Sequence, residues 1–259
     1  VLVTLAGSLT SESAGGAISA AGNTLLQALG ATSDITLGGE LSNTAGHTSV
    51  DAARSVVQNA NITATGAGKT VDVLAGISIT MGTGAAIATQ DGNVVLTAGA
   101  GDVTLESITA GNANVAITAA GNIVDRDAAG DSGVDITAAG LILSAGVGIG
   151  AGANHLETSV STLTASAGAG GVYVSEANGV TVSNLTVAVN RVGTDASVLA
   201  TTVTQEDLTT SSNGSVELIS QSGSIMMNDG VSANGISVQA GGSGYILLRA
   251  LGSDITINA

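Results

Sequence analysis

Short apolar–polar–apolar triplets recur along the whole chain. In a β-strand, such alternation turns two side chains to one face and the third to the other. Gly with Asn, Asp or Ser stands between many of the triplets and supplies the positive φ and tight corners that turns need. The pattern therefore predicts an all-β chain of many short strands. The triplets lie at residues 35–37, 77–79, 103–105, 115–117, 134–136, 180–182 and 255–257.

The spacing of the triplets narrows the fold. They begin at residues 94, 103, 115, 123, 134 and 141, so every second one comes 18–21 residues later. A steady advance near 20 residues is typical of a β-solenoid, whose coils of two or three strands stack on one another. We therefore predict a parallel β-helix (β-solenoid) of about 20 residues per coil and roughly 11–13 coils. At the usual strand spacing, this is a rod about 60 Å long.

An antiparallel β-sandwich is the competing fold, because its hairpins give similar local signals. A sandwich core usually recruits aromatic residues, and this chain has no Phe, no Trp and only two Tyr, Tyr173 and Tyr245. Its Ala, Val, Ile and Leu side chains suit a narrow interior of constant cross-section. Because Pro is absent, every residue can donate its backbone N–H to a ladder. These features favour the solenoid.

A longer period crosses the chain. A motif that returns after a whole domain is typical of proteins built for length. We expect residues 1–259 to form a single continuous solenoid segment of a tandem array, with a unit of about 216–222 residues and a second unit beginning near residue 216. The repeated motifs are LLQALG at 25–30 and LLRALG at 247–252, SDITL at 33–37 and SDITI at 253–257, and Gly-Ser-Leu at 7–9 and Gly-Ser-Ile at 223–225.

The charge and the cysteine content exclude several classes of function. The formal net charge is −15, from 20 acidic and five basic residues. Such a surface repels nucleic acid and anionic lipid, so we expect no nucleic-acid partner and no membrane insertion. Residues 136–154 carry no charge, but their five glycines favour two short strands over a membrane helix. Without Cys, the chain has no disulfide, thiolate metal site or Cys nucleophile.

The densest acidic cluster comprises Asp125, Asp127, Asp131 and Asp135. A polar corner with outward-facing strand positions is the simpler interpretation, and calcium binding by Asp125, Asp127 and Asp131 is the alternative left open. Residues 125–130 lack the third oxygen ligand of an EF-hand loop, and Ile136 stands where its Glu should be. We therefore assign no metal ligand here.

No other set of residues predicts chemistry. His47 and His155 lie far apart without a second His at metal-ligand spacing, so we expect exposed loop residues. The chain has no GxSxG elbow, and the Gly-rich residues 146–152 lack the Lys of a phosphate-binding loop. We predict no catalytic residue, no cofactor and no enzyme activity, with a polysaccharide-cleaving β-helix enzyme as the least favoured alternative.

Two stretches depart from the triplet pattern. Residues 49–58 (SVDAARSVVQ) contain good helix formers and could form a short helical turn. Residues 185–212 are Thr-rich and contain a single glycine, Gly193. We expect longer strands or a loop that bulges from the rod there, where a partner could reach it.

Residues 157–182 (ETSVSTLTASAGAGGVYVSEANGVTV) resemble a phrase common in the repeats of filamentous-haemagglutinin-like giant bacterial exoproteins. The resemblance implies a right-handed parallel β-helix, export across an outer membrane, and adhesion or biofilm roles. The segment has no Pro, so it cannot carry the Asn-Pro turn motif of that family's secretion region and is better matched to the shaft. The family supplies no catalytic residues.

Taken together, these patterns predict a structural segment of an extracellular or bacterial cell-surface fibre or adhesin shaft. Such a shaft would mediate cell adhesion, cell–cell contact or biofilm formation. Its expected partners are neighbouring repeat units of the same or identical chains, stacked end to end, and secondarily cell-surface glycans or another cell. The alternative is a carbohydrate- or surface-binding module whose contact region is residues 185–212.

Overall fold

A computed structural model describes residues 1–127, 133–232 and 234–258. Within these residues the protein is all-β: 28 strands form one sheet in which every pairing is parallel, and two more strands form an antiparallel pair. The described residues contain no helix that is long and apolar enough to cross a membrane. The predicted parallel β-solenoid is therefore confirmed.

The strands are short, and most have three to five residues. The first seventeen are β1 (Leu2–Thr4), β2 (Leu9–Ser11), β3 (Ile18–Ala20), β4 (Thr24–Ala28), β5 (Ile35–Leu37), β6 (Leu41–Asn43), β7 (Thr48–Ala52), β8 (Val56–Gln58), β9 (Ile62–Ala64), β10 (Val71–Ala75), β11 (Ile79–Met81), β12 (Ala86–Thr89), β13 (Val94–Ala98), β14 (Val103–Leu105), β15 (Ser107–Thr109), β16 (Asn114–Ala119) and β17 (Ile123–Asp125). The others are β18 (Ile136–Ala145), β19 (Gly148–Ile149), β20 (Leu156–Ala167), β21 (Gly171–Glu176), β22 (Val180–Val182), β23 (Leu185–Val192), β24 (Val198–Gln205), β25 (Leu208–Thr210), β26 (Val216–Ser220), β27 (Ile225–Met227), β28 (Val238–Gln239), β29 (Ile246–Ala250) and β30 (Ile255–Ile257).

Each turn of the solenoid has three sides. β4, β5 and β6 make one turn, and they pair with β7, β8 and β9 of the next. The long face carries β1, β4, β7, β10, β13, β16 and the second halves of β18 and β20. The first short face carries β2, β5, β8, β11, β14, β17 and β19. The second short face carries β3, β6, β9, β12, β15 and the first halves of β18 and β20.

The winding makes about eight turns of about 23 residues each. Eight pairing steps on the long face lead from Leu2 to Leu208, and a ninth leads to Val238. At 4.8 Å per step, the ladder is about 43 Å long. Its members in order are Leu2, Leu26, Val50, Val73, Leu96, Ile117, Leu143, Ala165, Leu208 and Val238.

The predicted coil of about 20 residues, the count of 11–13 coils and the 60 Å length are therefore wrong. The predicted spacing matches the shortest turns, such as the one in which Val94 pairs with Val115, whereas other turns contain more residues. The prediction also places a strand start at Val134, whereas Val115 pairs with Leu141. Val134 lies outside β18 and is 41% exposed.

The interior is a narrow column of aliphatic side chains. In the long face, Leu26, Val50, Leu96, Ile117 and Leu143 are fully buried. Burying one such side chain contributes about 1.5–3 kcal/mol, and the ladder repeats the contribution every turn. The last position of the long strand is alanine in six successive turns: Ala28, Ala52, Ala75, Ala98, Ala119 and Ala145.

One corner of the rod requires glycine because successive turns approach closely there. A Cβ on Gly168 would lie 2.2 Å from the carbonyl oxygen of Gly146, and one on Gly214 would lie 2.3 Å from that of Gly168. A Cβ on Gly244 would lie 2.0 Å from the oxygen of Gly214. Real Cβ atoms do not approach so closely, so a side chain here would push two turns apart.

Some predictions for individual stretches of the chain are confirmed by the structure and others are wrong. The helical turn considered for residues 49–58 is wrong, because these residues belong to β7 and β8 and pair in register with β10 and β11. Ile77 precedes β11 and is 43% exposed, so the strand starts two residues later than predicted. Residues 136–154 form β18 and β19, as their glycines predicted. The longer strands expected in residues 185–212 are confirmed as β23 and β24.

Candidate functional site

Among the strands of the described residues, one pair leaves the winding, the antiparallel hairpin β23–β24, which we call the flank hairpin. Its eight residue pairs run from Leu185 beside Gln205 to Val192 beside Val198. Where the hairpin leaves and rejoins the rod, Val182 pairs with Leu163 and Leu208 pairs with Ala165, so one underlying strand spans both ends. The insertion thus divides the turn above β20 into β22 and β25, and both strands stay paired with β20.

The flank hairpin lies along the rod axis over the long face. At its base, the Gln205 side chain donates from Nε2 to the Leu143 carbonyl and to Thr164 Oγ1, both at 3.0 Å. At its tip, Asn23 Nδ2 donates to the Ala196 carbonyl at 2.9 Å. Thr164 and Asn23 lie about six turns apart, a rise of roughly 29 Å, which an eight-residue strand of about 27 Å together with the turn at its tip can span.

A whole row of outward side chains on the long face is buried under this hairpin. An outward row on a solenoid normally meets solvent, as its alternation with the core requires. Here each residue of the row is at most 4% exposed, which places the hairpin directly over the row. Its members in order are Leu25, Ser49, Asp72, Val95, Ala116, Ile142 and Thr164.

The middle of this contact is apolar. Val187 and Val189 pack against Val95, Ala116 and Ile142 in a second small core, separate from the interior of the rod. Both valines are buried, and each contributes about 1.5–3 kcal/mol by this burial. The hairpin is therefore a docked element and not a free loop.

The tip half of the contact is polar and charged. Arg191 Nε lies 2.6 Å from Asp72 Oδ2, and its Nη2 donates to Oδ1 at 3.3 Å. The Asp72 side chain is 2% exposed and that of Arg191 is 37% exposed. The hydrogen bond with Asp72 raises the pKa of Arg191. Nearby, the Val192 N–H donates to Ser49 Oγ at 2.9 Å.

His47 belongs to the same contact, so its prediction as an exposed loop residue is wrong. The Asn190 N–H donates to Thr70 Oγ1 at 3.1 Å, and that hydroxyl lies 2.9 Å from His47 Nδ1. The Thr70 N–H also donates to Nδ1, at 3.1 Å, which requires this nitrogen to be unprotonated. Burial lowers the pKa of His47, and the charge of Lys69 lowers it further.

A cleft of about 260 Å³ opens between the tip of the flank hairpin and the long face. Its lining combines Asp51, Gln27 and Arg191 with the apolar Leu25 and Leu199. Gln27 Nε2 donates to Asp51 Oδ2 at 2.7 Å, and Leu199 is 71% exposed. Carboxylate, amide and guanidinium groups beside apolar surface can hydrogen-bond the hydroxyls of a small polar ligand while packing against its carbon face.

The acidic residues form a polar corner with members that differ from the predicted ones, and Asp125 and Asp135 are buried there instead of facing outward as expected. Carboxylate oxygens of Asp125, Asp135 and Glu157 all lie within 4.8 Å of one another. Asn154 Nδ2 donates to Asp125 at 2.5 Å, and the Glu157 N–H donates to Asp135 at 2.9 Å. Oxygen donors of this kind suit a hard cation such as calcium.

Two members of the predicted cluster stand apart from that convergence. Asp127 contributes its backbone N–H, which donates to Asp125 Oδ1 at 2.8 Å. Asp131 lies outside the described residues. Sequence reasoning missed Glu157, and the signal that could have found it is the strand register, because Ile136 pairs with Thr158 and so places Asp135 beside Glu157.

Both tyrosines of the chain lie near Glu217, on the side of the rod away from the flank hairpin. His155 Nε2 lies 3.1 Å from Glu217 Oε2, and its ring stands edge-on to that of Tyr173 with 6.0 Å between centroids. The Tyr245 hydroxyl donates to Glu217, and this hydrogen bond raises the pKa of Tyr245 to about 12. His155 is thus half-buried rather than an exposed loop residue.

Comparisons with protein-family models, curated proteins and solved structures give no significant match to this chain. The resemblance of residues 157–182 to filamentous-haemagglutinin-like exoproteins therefore rests on the sequence. In the structure these residues form most of β20 with β21 and β22, and all three strands pair in parallel with the adjacent turns of the solenoid. A β-helix repeat protein is the family type with which this architecture agrees.

Proposed function

We propose that this chain is a structural segment of an extracellular or bacterial cell-surface fibre, of the adhesin-shaft type. The observation that supports the proposal is the uninterrupted parallel ladder, which adds about 4.8 Å of length with every turn and uses the same fold throughout. Tandem units would extend such a rod without a new core. Cell adhesion, cell–cell contact or biofilm formation is the role that a shaft of this kind would serve.

The two ends of the ladder support stacking as the mode of assembly. Leu2 and Leu5 are 49% and 77% exposed at the first turn, and Ile246 and Ile257 are 46% and 61% exposed at the last. The residues one turn inside Leu2, Ile246 and Ile257 are fully buried, and they are Leu26, Val216 and Met227. Open strand edges with exposed aliphatic side chains bind another strand layer readily, so a neighbouring unit is the partner that they fit.

The surface charge supports an elongated, separately dispersed rod. A net charge of −15 on a chain with five basic residues makes adjacent rods repel along their sides. End-to-end contact is then favoured over lateral association, because the ends offer apolar side chains and unpaired backbone groups.

Imaging tests the proposal. We would compare this chain with a two-unit version by negative-stain electron microscopy. Rods whose length grows with unit number are expected, whereas globular particles or rods of constant length would remove the fibre hypothesis.

The second candidate function is a carbohydrate- or surface-binding module in residues 185–212. The observation that favours it is the cleft beside the flank hairpin, in which Asp51, Gln27 and Arg191 lie next to the exposed Leu199. Because Val182 and Leu208 rest on the same strand, a short Gly-Ser linker can replace residues 184–206. Loss of binding to cells or glycans with unchanged circular dichroism would support this function, and unchanged binding would remove it.

We infer no catalytic activity for this segment. The release of unsaturated or reducing sugar from an acidic polysaccharide by the purified chain would contradict that inference.

A further inference from the structure

We propose that successive units of the fibre stack about half a turn out of phase, so that their flank hairpins emerge on opposite sides of the rod. The partner that fits the open end of β28–β30 is then another unit, entering with the equivalents of β6, β7 and β8. This inference rests on the proposed tandem fibre and adds the angular relation between its units.

The strand register identifies the equivalent strands. Leu2 pairs with Leu26 in β1 and β4, and Leu218 pairs with Leu248 in β26 and β29. By the sequence repeat, Leu218 corresponds to Leu2 and Leu248 to Leu26. Leu9 beside Ile35 is matched in the same way by Ile225 beside Ile255. Strands β26, β27, β29 and β30 are thus the second unit's β1, β2, β4 and β5.

These equivalent strands do not stand above their counterparts. The column that starts at Leu9 in β2 reaches Val216 in β26 after eight pairing steps. The column that starts at Ile18 in β3 reaches Ser220, the other end of β26, also after eight steps. The second unit's long strand therefore covers both short faces of the first.

The long face of the first unit is continued by two short strands of the second unit. Above it, Leu163 is followed by Val182 and Met227, which places β27 there. Ala165 is followed by Leu208 and Val238, which places β28 beside it. One long face is thus continued by two short ones and two short faces by one long one. The triangular section is inverted, which is a rotation of about half a turn.

The consequence is a fibre with two rows of hairpins. Eight and a half turns at about 4.8 Å give a unit rise of about 41 Å. The flank hairpin follows the long face, so hairpins on one side of the rod would recur about every 82 Å. An in-phase unit would instead put all of them on one side.

Exposed residues in the second unit agree with this arrangement. Leu25 is 3% exposed beneath the tip of the flank hairpin, whereas its equivalent, Leu247, is 40% exposed on the opposite side of the rod. Tyr245 corresponds to Asn23, which holds the hairpin tip, and is 52% exposed. The hairpin of the second unit would cover this place.

The register is tested first in this chain, which has no native Cys. Ser175 pairs with Ile219, so the Ser175→Cys/Ile219→Cys variant should form a disulfide on mild oxidation. In an in-phase arrangement Ile219, the equivalent of Val3, would instead lie over Ser166. The matched Ser166→Cys/Ile219→Cys variant should stay reduced, and its oxidation in place of the first pair would overturn the inference.

The fibre is tested with a two-unit chain, made by continuing from Ile257 with residues 38–259. An Asp195→Cys substitution, and the equivalent one in the second unit, would carry maleimide-gold at each hairpin tip. Rods lengthened by about 41 Å with labels on opposite edges are expected. Lengthened rods with both labels on one edge would overturn the half-turn inference and leave the proposed fibre standing. Rods that do not lengthen would overturn the fibre itself.

Discussion

The Arg191–Asp72 contact should decide whether the flank hairpin stays on the rod. An Arg191→Ala substitution removes the partner of a carboxylate that is 2% exposed. Breaking a buried pair in this way costs about 3–5 kcal/mol. Because Arg191 is itself 37% exposed, water can reach the vacated space, and we reduce the expected cost to about 2–3 kcal/mol.

That cost should fall on hairpin docking and not on the winding. The ladder beneath, including β10, keeps all its backbone pairs when the hairpin lifts. A loss of about 2–3 kcal/mol corresponds to roughly 30- to 150-fold faster amide exchange in residues 185–205, at about 1.4 kcal/mol per factor of ten. Hydrogen-exchange mass spectrometry measures this directly, with peptides from β10 and β13 as the internal reference.

Two further variants make the assay specific. Arg54→Ala removes the partner of Asp34 in an exposed pair and should change hairpin exchange by less than about twofold. Adding Asp72→Asn to Arg191→Ala should restore part of the protection, because a neutral amide is cheaper to bury than an unpaired carboxylate. If Arg191→Ala leaves hairpin exchange unchanged, or speeds it no more than Arg54→Ala does, the docking argument fails.

Five other substitutions, one of them a control, test the core, the hairpin and two titrating groups. Ile117→Ala should lower the free energy of unfolding by about 2–5 kcal/mol in urea titrations, while the outward Thr118→Ala changes it by less than about 0.5 kcal/mol; equal effects would contradict the assigned faces. Val189→Asp should release the hairpin to proteolysis while the circular dichroism of the rod is retained. Burial raises the pKa of Glu176 above its ordinary 4.5, so stability from its protonated form is full below pH 4.5 and is lost as the pH rises through the raised value; Glu176→Gln should flatten this dependence in thermal melts. Burial lowers the pKa of His47 below its ordinary 6.5, so its stabilisation is present above pH 6.5 and is lost as the pH falls through the lowered value. Hairpin exchange, corrected for the intrinsic pH dependence, should therefore be faster at pH 5 than at pH 7, and His47→Gln should remove that difference.

Local alternation predicted the repeating part of this fold well. The triplet at 103–105 is a strand with the expected buried and outward side chains. The triplet at 255–257 is a strand that pairs with β27. The rule works because every turn has the same neighbour above and below, so local pattern and tertiary environment agree. The number of residues per turn was harder to predict, because some strands give no apolar triplet. One of them is β15, which has the sequence Ser-Ile-Thr with a single buried side chain.

The docking of the flank hairpin could not be predicted from local patterns. Residues 185–212 showed longer strands in their composition, but the contacts of Asn190 and Arg191 lie about 120 residues away, at Thr70 and Asp72. No periodicity links such positions. One local sign of the docking lies in the outward row, because Val95, Ala116 and Ile142 are apolar where a solvent-facing row should be polar.

Distances along one outward row test the winding most directly. Thr10, Thr36, Val57, Thr80, Thr104 and Val124 occupy successive turns of the first short face. Because native Cys is absent, spin labels can be placed at Thr10 and at one further position. The separations should rise by about 4.8 Å per turn, from about 14 Å at Thr80 to 19 Å at Thr104 and 24 Å at Val124. Separations that alternate between short and long along this series would show antiparallel hairpins and contradict the solenoid.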